Sequence, residues 1–250
     1  RRVQVGAARD HLLGVRFVDG LGRIVKNGGR VMKNVTGYDL VKLMAGSWGT
    51  LGVITEVSFK VLPIAETQST LKINFCDASI LTKATNTPYD ISGTFYDVGS
   101  RVSYIRVEGF DKSVKYRIKQ LLGEFSDFEV DILEMEESKK FWQNVSNLDF
   151  LKNIKGDLWR VSVRPTDGVK IIQMLNPKVG FLDWCGGLVW LRVDEGFDVR
   201  EKMQKVAGHA MCLLGKFEQF HPISTAEKTL SNSIRKKFDP KMLLNRELLN

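Results

Sequence analysis

The chain has 250 residues, 43% of them hydrophobic and 26% charged, with only six prolines, a balance that excludes a disordered polypeptide and suits one large domain or two of moderate size. Its net charge of +8 raises the question of an anionic partner, but the densest basic clusters, Lys139-Lys140 and Arg235-Lys236-Lys237, fall on predicted helices and read as solvated surface. No apolar run approaches the ~20 residues that a membrane-spanning helix requires, and the opening RRVQVGAARD has no signal-peptide core, so the chain reads as cytoplasmic.

VRFVDGLGRIV, residues 15–25, has two β-rich arms around Asp19-Gly20 and predicts a hairpin. After Gly28-Gly29, residues 38–45 predict a short helix with Leu40, Leu43 and Met44 on one face, and Gly46 sits where a helix C-terminus favours a left-handed residue. From Leu51 the period changes to two, with Leu51, Val53, Val57, Phe59 and Val61 facing one way until Pro63. Residues 1–62 therefore read as a β-rich unit with one short helix.

Beyond Pro63, strands alternate with amphipathic helices. Asp111 is expected to cap a helix burying Val114, Ile118 and Leu121. FEVDIL is strand-like, and the helix after it aligns Phe141, Trp142, Val145 and Leu148. LWRVSVRP predicts a strand, residues 169–175 a helix, GGLVWLRV a strand, and Asp198 a helix start with Val199, Met203 and Val206 aligned before the strand HAMCLLGKF. This alternation predicts an α+β fold in which residues 63–220 form an antiparallel sheet with helices on one face, in two ferredoxin-like halves. In the last stretch, 221–250, STAE is a capping box that opens a helix through Leu230 and Ile234, ending before Pro240. The closing FDPKMLLN is expected to pack back on another part of the fold.

Chemistry-bearing motifs are scarce. Cys76, Cys185 and Cys212 lack any C-x-x-C spacing and read as small apolar residues, and His11, His209 and His221 are isolated. There is no nucleophile elbow and no phosphate-binding G-x-x-x-x-G-K, and Gly20-Leu21-Gly22 lacks the third glycine of a Rossmann fingerprint. The acidic run Glu134, Glu136 and Glu137 is explained by the helix dipole, so no catalytic residue is assigned. What stands out is NVTGYDLVKLMAGSWGTLGVIT, residues 34–55, where Gly46, Gly49 and Gly52 recur at a spacing of three. Such spacing serves either a tight helix-to-strand crossover or a main chain approached by a ligand. Asn34, Thr36, Tyr38, Asp39, Ser47 and Thr50 supply polar groups of the kind a large anionic cofactor requires.

GGRVMKNVTGYDLVKLMAGSWGTLGVITEVSFKVLP, with ARDHLLGVRFVDGLGRIVKN upstream and FDPKMLLN at the end, resembles the third segment of the FAD-binding domain of vanillyl-alcohol-oxidase-type (PCMH-type) flavoproteins. That family's pattern runs K-N-x-x-G-Y-D-L and then G-S-x-G-x-L-G-V-I-T-E, and the likeness is strongest to the FAD-binding subunits of bacterial glycolate oxidases. Across the middle of the chain it rests on length and pattern alone. The resemblance implies a partial FAD-binding domain, whose N-terminal lobe would precede Arg1, with a ferredoxin-like cap domain and a tail that returns to the FAD domain. It implies FAD as cofactor, contacted by Asn34, Gly37, Tyr38, Gly46, Ser47, Gly49, Thr50, Gly52 and Ile54, with Ala8, Arg9 and Gly14 in a preceding flavin-contacting loop and strand. Trp48 replaces the Glu often found in catalytic relatives, and nothing matches their histidine-containing metal stretch in the cap. Substrate oxidation is therefore expected in a sister subunit, and the partners implied are a catalytic FAD subunit and an iron–sulfur subunit of a glycolate oxidase complex acting on a small 2-hydroxy acid, peripheral on the inner membrane. A non-catalytic assembly subunit without bound FAD is the alternative, and a basic nucleic-acid-binding module a third.

Overall fold

A computed structural model describes residues 5–32, 37–177, 179–203 and 206–248. They form two compact units, Gly6–Pro63 with Pro222–Asn250, and Ile64–His221.

The first unit opens with a single helical turn, α1 (Ala8–His11), followed by the hairpin β1 (Leu12–Val18) and β2 (Ile24–Gly28). Asp19 makes the hairpin turn. Its Oδ1 accepts from the N–H groups of Leu21 and Arg23, both at 2.9 Å, and its Oδ2 from Arg23 Nε at 2.8 Å, while Gly22 takes the left-handed φ of +78° that the return requires. A five-residue helix, α2 (Leu40–Met44), is capped by Asp39, whose carboxylate accepts from Lys42 N–H. It buries Val41 and Met44, with Leu43 packed partly against the same core. The expected Leu40–Leu43–Met44 face is thus rotated by one residue toward Val41.

Strand β3 (Val53–Phe59) pairs antiparallel with β1, giving a three-stranded sheet of order β2-β1-β3. Here an expectation fails. Leu51 is buried, but Val53, Val57, Phe59 and Val61 are exposed. The core of this unit is carried by Val15 and Phe17 of central β1, and among the described residues no layer covers β3 beyond them.

The second unit is one eight-stranded antiparallel sheet of order β11-β8-β10-β9-β5-β6-β4-β7. Its first half runs β4 (Thr67–Ile73), α3 (Ser79–Thr85), β5 (Gly93–Asp97), β6 (Val102–Gly109), α4 (Asp111–Glu124) and β7 (Val130–Leu133). After α5 (Met135–Ser146), the second half repeats the pattern with β8 (Asp157–Val163), α6 (Pro165–Leu175), β9 (Val179–Asp183), β10 (Leu188–Val193), α7 (Val199–Lys202) and β11 (Gly208–Leu214). Each half has the ferredoxin-like strand order, first strand between the fourth and third, and the halves join edge to edge through the β5–β9 pairing of Phe95, Tyr96 and Asp97 with Asp183, Leu182 and Phe181.

Helices α3, α4, α6 and α7 share one face of this sheet, where Leu71, Ile105, Trp159, Val161, Leu182 and Leu191 meet Leu81, Leu121, Ile171 and Val199. The linking helix α5 lies on the opposite face, against Phe95 and Phe181. Trp142 Nε1 donates there to Thr70 Oγ1 at 2.9 Å, and Phe141 stacks on Tyr104 with centroids 3.9 Å apart. The expectation of helices on a single face holds for the four crossover helices and not for α5, because Thr70 alternates with Leu71 along β4 and points away from it. Asp111 proves to be the first residue of α4 rather than its cap, which is Phe110, and α7 is a single turn capped by Asp198. All three cysteines are buried and free, as expected.

The chain then returns to the first unit with α8 (Thr225–Phe238), whose capping box is the expected Ser224–Glu227 pair. Its inward side departs from the apolar spacing. Leu230 is exposed, Ile234 only partly buried, and the buried residue is Arg235. Phe238 meets Phe17 at 5.9 Å between centroids, and Phe238 O accepts from Gly20 N–H at 2.9 Å.

Burial pushes the Asp19 carboxyl up, but the hydrogen bonds from Arg23 and Leu21 outweigh it and hold its pKa below the ordinary 3.8. Its stabilising contribution is therefore present above the unfolded-state pKa and is lost as pH falls through the lower folded-state value. Asp19→Asn is expected to lower the urea midpoint at neutral pH and to flatten the loss of stability below about pH 4; equal acid limbs in variant and parent would contradict this role.

Candidate functional site

The glycine-spaced segment lies in the first unit, on both sides of α2. Before the helix, Gly37 has φ +76°, and a Cβ built on it would meet nothing within 4 Å. Tyr38 leaves its ring 90% exposed, while its carbonyl accepts from Asn27 Nδ2 at 3.1 Å. Asn34 falls outside the described residues.

After the helix, Gly46 has φ +86° and again faces open space. Ser47 and Thr50 are buried and close a turn, in which Thr50 N–H and Oγ1 both donate to Ser47 O, at 3.0 Å and 2.6 Å. The remaining glycines have internal reasons. A Cβ on Gly49 (φ +71°) would lie 2.8 Å from Asn245 Nδ2, and one on Gly52 would lie 2.6 Å from Phe17 Cδ2 and 2.9 Å from Val18 O. The spacing of three thus mixes two purposes. Gly52 makes room for the core ring of β1, whereas Gly37 and Gly46 bare the main chain to solvent. Ile54, on β3 opposite Phe17, is 45% exposed.

Gly37 and Tyr38 line a cleft of about 250 Å³ together with Asp10, Asn27, Lys42 and Lys60. Its acids are engaged locally, Asp39 in capping α2 and Asp10 in accepting from Ala7 N–H at 2.7 Å. Lys42 Nζ donates to Leu12 O at 3.2 Å and to Arg9 O. Lys60 donates through its backbone N–H to His11 O at 2.8 Å, and its ammonium has no ion-pair partner among the described residues. The cleft thus combines bare backbone and an amide with two ammonium groups and two carboxylates. The two flanks of α2 are separated by about 7 Å of helix rise, so one ligand touching both must be extended.

Asn27, Lys42 and Lys60 escaped sequence reasoning, because neither spacing nor residue type distinguishes them from other surface groups; only the hairpin and the end of β3 bring them to Gly37. Of the residues placed in a preceding loop and strand, Arg9 contributes a carbonyl to Lys42, and Gly14 packs beneath Gly29, whose O would be 2.7 Å from a Cβ there. In the second unit, His209 and His221 are not isolated as expected but meet edge-on at 5.5 Å. Burial first, then the neighbouring His209, lowers the His221 pKa. Among the described residues no group of three or more His, Cys, Asp or Glu could hold a metal, and no helix is long and apolar enough to cross a membrane.

No family model matches the chain. It is 35% identical over 246 residues, 96% of its length, to glycolate oxidase subunit GlcE of Escherichia coli, and spans 65% of that protein. Over 71 residues, 28% of this chain and 15% of the relative, it is 44% identical to glycolate oxidase subunit GlcD of Bacillus subtilis. Its fold matches the VAO-type flavoprotein MtVAO615 from Myceliophthora thermophila with a TM-score of 0.58 at 13% identity, covering 97% of this chain and 57% of that one. The chain has the fold of the VAO-type flavoproteins, and spans just under two thirds of the length of its glycolate oxidase relative.

Because Gly52 abuts Phe17 whereas Gly46 faces solvent, substitutions should separate folding from surface effects. Gly52→Val is expected to cost about 1–3 kcal/mol through overpacking, and Gly46→Ala about 1–2 kcal/mol through its left-handed φ alone. Urea denaturation with a large aliphatic series at both positions checks this, since the cost should grow with side-chain size at Gly52 and stay flat from Ala to Leu at Gly46; growth at both would refute the open face.

Proposed function

We propose that this chain is the FAD-binding subunit of a glycolate-oxidase-type complex that oxidises a small 2-hydroxy acid. The observation that carries the reading is the bared backbone of Gly37 in one cleft with Lys60, whose ammonium has no ion-pair partner among the described residues, and of Gly46 on the other flank of α2, in a chain 35% identical to GlcE over nearly its whole length. When bound, FAD supplies the two-electron redox chemistry. This chain's own part is positional. Gly37, Gly46 and the Trp48–Thr50 turn let a flat, polar ligand approach the main chain, Asn27 fixes the Tyr38 carbonyl, and Lys42 and Lys60 offset negative charge. Ser47, Gly49, Thr50, Gly52 and Ile54 form the supporting wall in this reading, and Asn34, outside the described residues, is a further contact that it expects.

The substrate-oxidising centre belongs in this account to a sister FAD subunit, with an iron–sulfur subunit accepting the electrons, so that the chain is inactive alone and peripheral to the inner membrane from the cytoplasmic side. The residues 1–62 and 221–250 serve as part of an FAD domain, and 63–220 as its cap. The alternative of an assembly subunit without FAD gains support from Gly49 and Gly52, whose glycine character the protein's own packing explains.

The visible spectrum of the purified protein decides between them. Flavin absorption at one FAD per chain, released on denaturation, is the expected result; a colourless, cooperatively folded protein that takes up no added FAD would select the assembly subunit.

A further inference from the structure

Residues 244–248 are organised by buried charge rather than by an apolar face. Arg235, 3% exposed on α8, donates through its guanidinium to the carbonyls of Leu244 at 2.7 Å, Asn245 at 2.9 Å and Leu248 at 2.9 Å. Asp239, fully buried, accepts from Leu244 N–H at 2.7 Å. Two residues of α8 and its end thereby define the path of the tail, and Asn245 adopts a left-handed φ of +38°, which asparagine tolerates better than most residues. In that pose its Nδ2 donates to Trp48 O at 2.6 Å.

The recipient turn needs such support. Trp48 has φ +54° and Gly49 follows with φ +71°, and a bulky residue in the left-handed region persists only where its surroundings determine it. Gly49 is also the residue whose Cβ would strike Asn245. The glycine there admits the asparagine amide, and the amide holds the turn.

We propose that Asn245 is a positioning residue of the flavin site: by holding the Trp48 carbonyl it fixes the Trp48–Gly49 turn, and with it the bared face of Gly46 two residues away. This rests on the reading of the chain as an FAD-binding subunit. It makes the C-terminal tail a part of the cofactor site, acting through the turn without touching FAD.

Asn245→Asp tests it, because the variant keeps side-chain shape and tolerance for the left-handed region while replacing the donor with an acceptor; Asn245→Ala removes the amide altogether. FAD affinity read by quenching of flavin fluorescence is expected to weaken about three- to tenfold in both variants, the size of one lost hydrogen bond, with faster amide hydrogen exchange at Gly49 and Thr50 and little change in the urea midpoint. Parent-like affinity in Asn245→Asp would overturn the proposal, since a packing role alone would leave Asp neutral. If the parent itself binds no FAD, the functional reading fails separately, and exchange at Gly49 and Thr50 then decides the clamp: faster in Asn245→Asp supports it, unchanged refutes it.

Discussion

Everything in the first unit depends on how closely the crossover after α2 approaches β1. At Gly52 a side chain would collide with the Phe17 ring and the Val18 carbonyl, and Phe17 is the ring on which α8 closes through Phe238. One missing side chain thus lets the crossover, the central strand and the last helix share a small core of Leu12, Val15, Phe17, Val41, Met44 and Leu51. With so little apolar area, overpacking at this point has no slack to absorb it. Once the crossover is anchored there, its upstream residues Gly46 to Thr50 are held as a turn at the surface, which is what a cofactor reading requires of them.

The second unit follows a different logic, in which breadth replaces compactness. Two ferredoxin-like halves, each with a crossover helix pair, fuse through the short β5–β9 ladder into a sheet that buries its main core on one face. The junction is reinforced on the other face by aromatic rings from both halves, Phe95, Tyr104, Phe141, Phe150 and Phe181. The ladder contributes few hydrogen bonds, so the rings of α5 and the turn after it supply much of the coupling between halves.

Much of this was legible in the sequence wherever the cause is local. Asp19-Gly20, the Ser224–Glu227 box, Gly46 at the helix end and the alternation of strands with helices each follow from a few adjacent residues, and all reappear in the structure. What escaped has distant causes. The apolar residues of β3 read as a core face, but the packed layer of this unit covers β1 and leaves them exposed. Trp142 reads as a buried helix position, yet its side of the sheet depends on Thr70, far away in the chain. Arg235 reads as a surface cation, and only the carbonyls of the tail folded over it explain its burial. In the candidate site the glycines were visible but not their division of labour, since Phe17 and Asn245 account for two of them. Lys60 gave no signal at all.

The central claim is that FAD lies against the bared main chain flanking α2. Backbone amide chemical shifts followed during titration of the protein with FAD test it most directly. The account predicts saturable shifts concentrated at Gly37, Gly46, Gly49 and Lys60, with the sheet of the second unit far less affected than this cluster. Shifts that leave those four amides unmoved while another surface responds would contradict it.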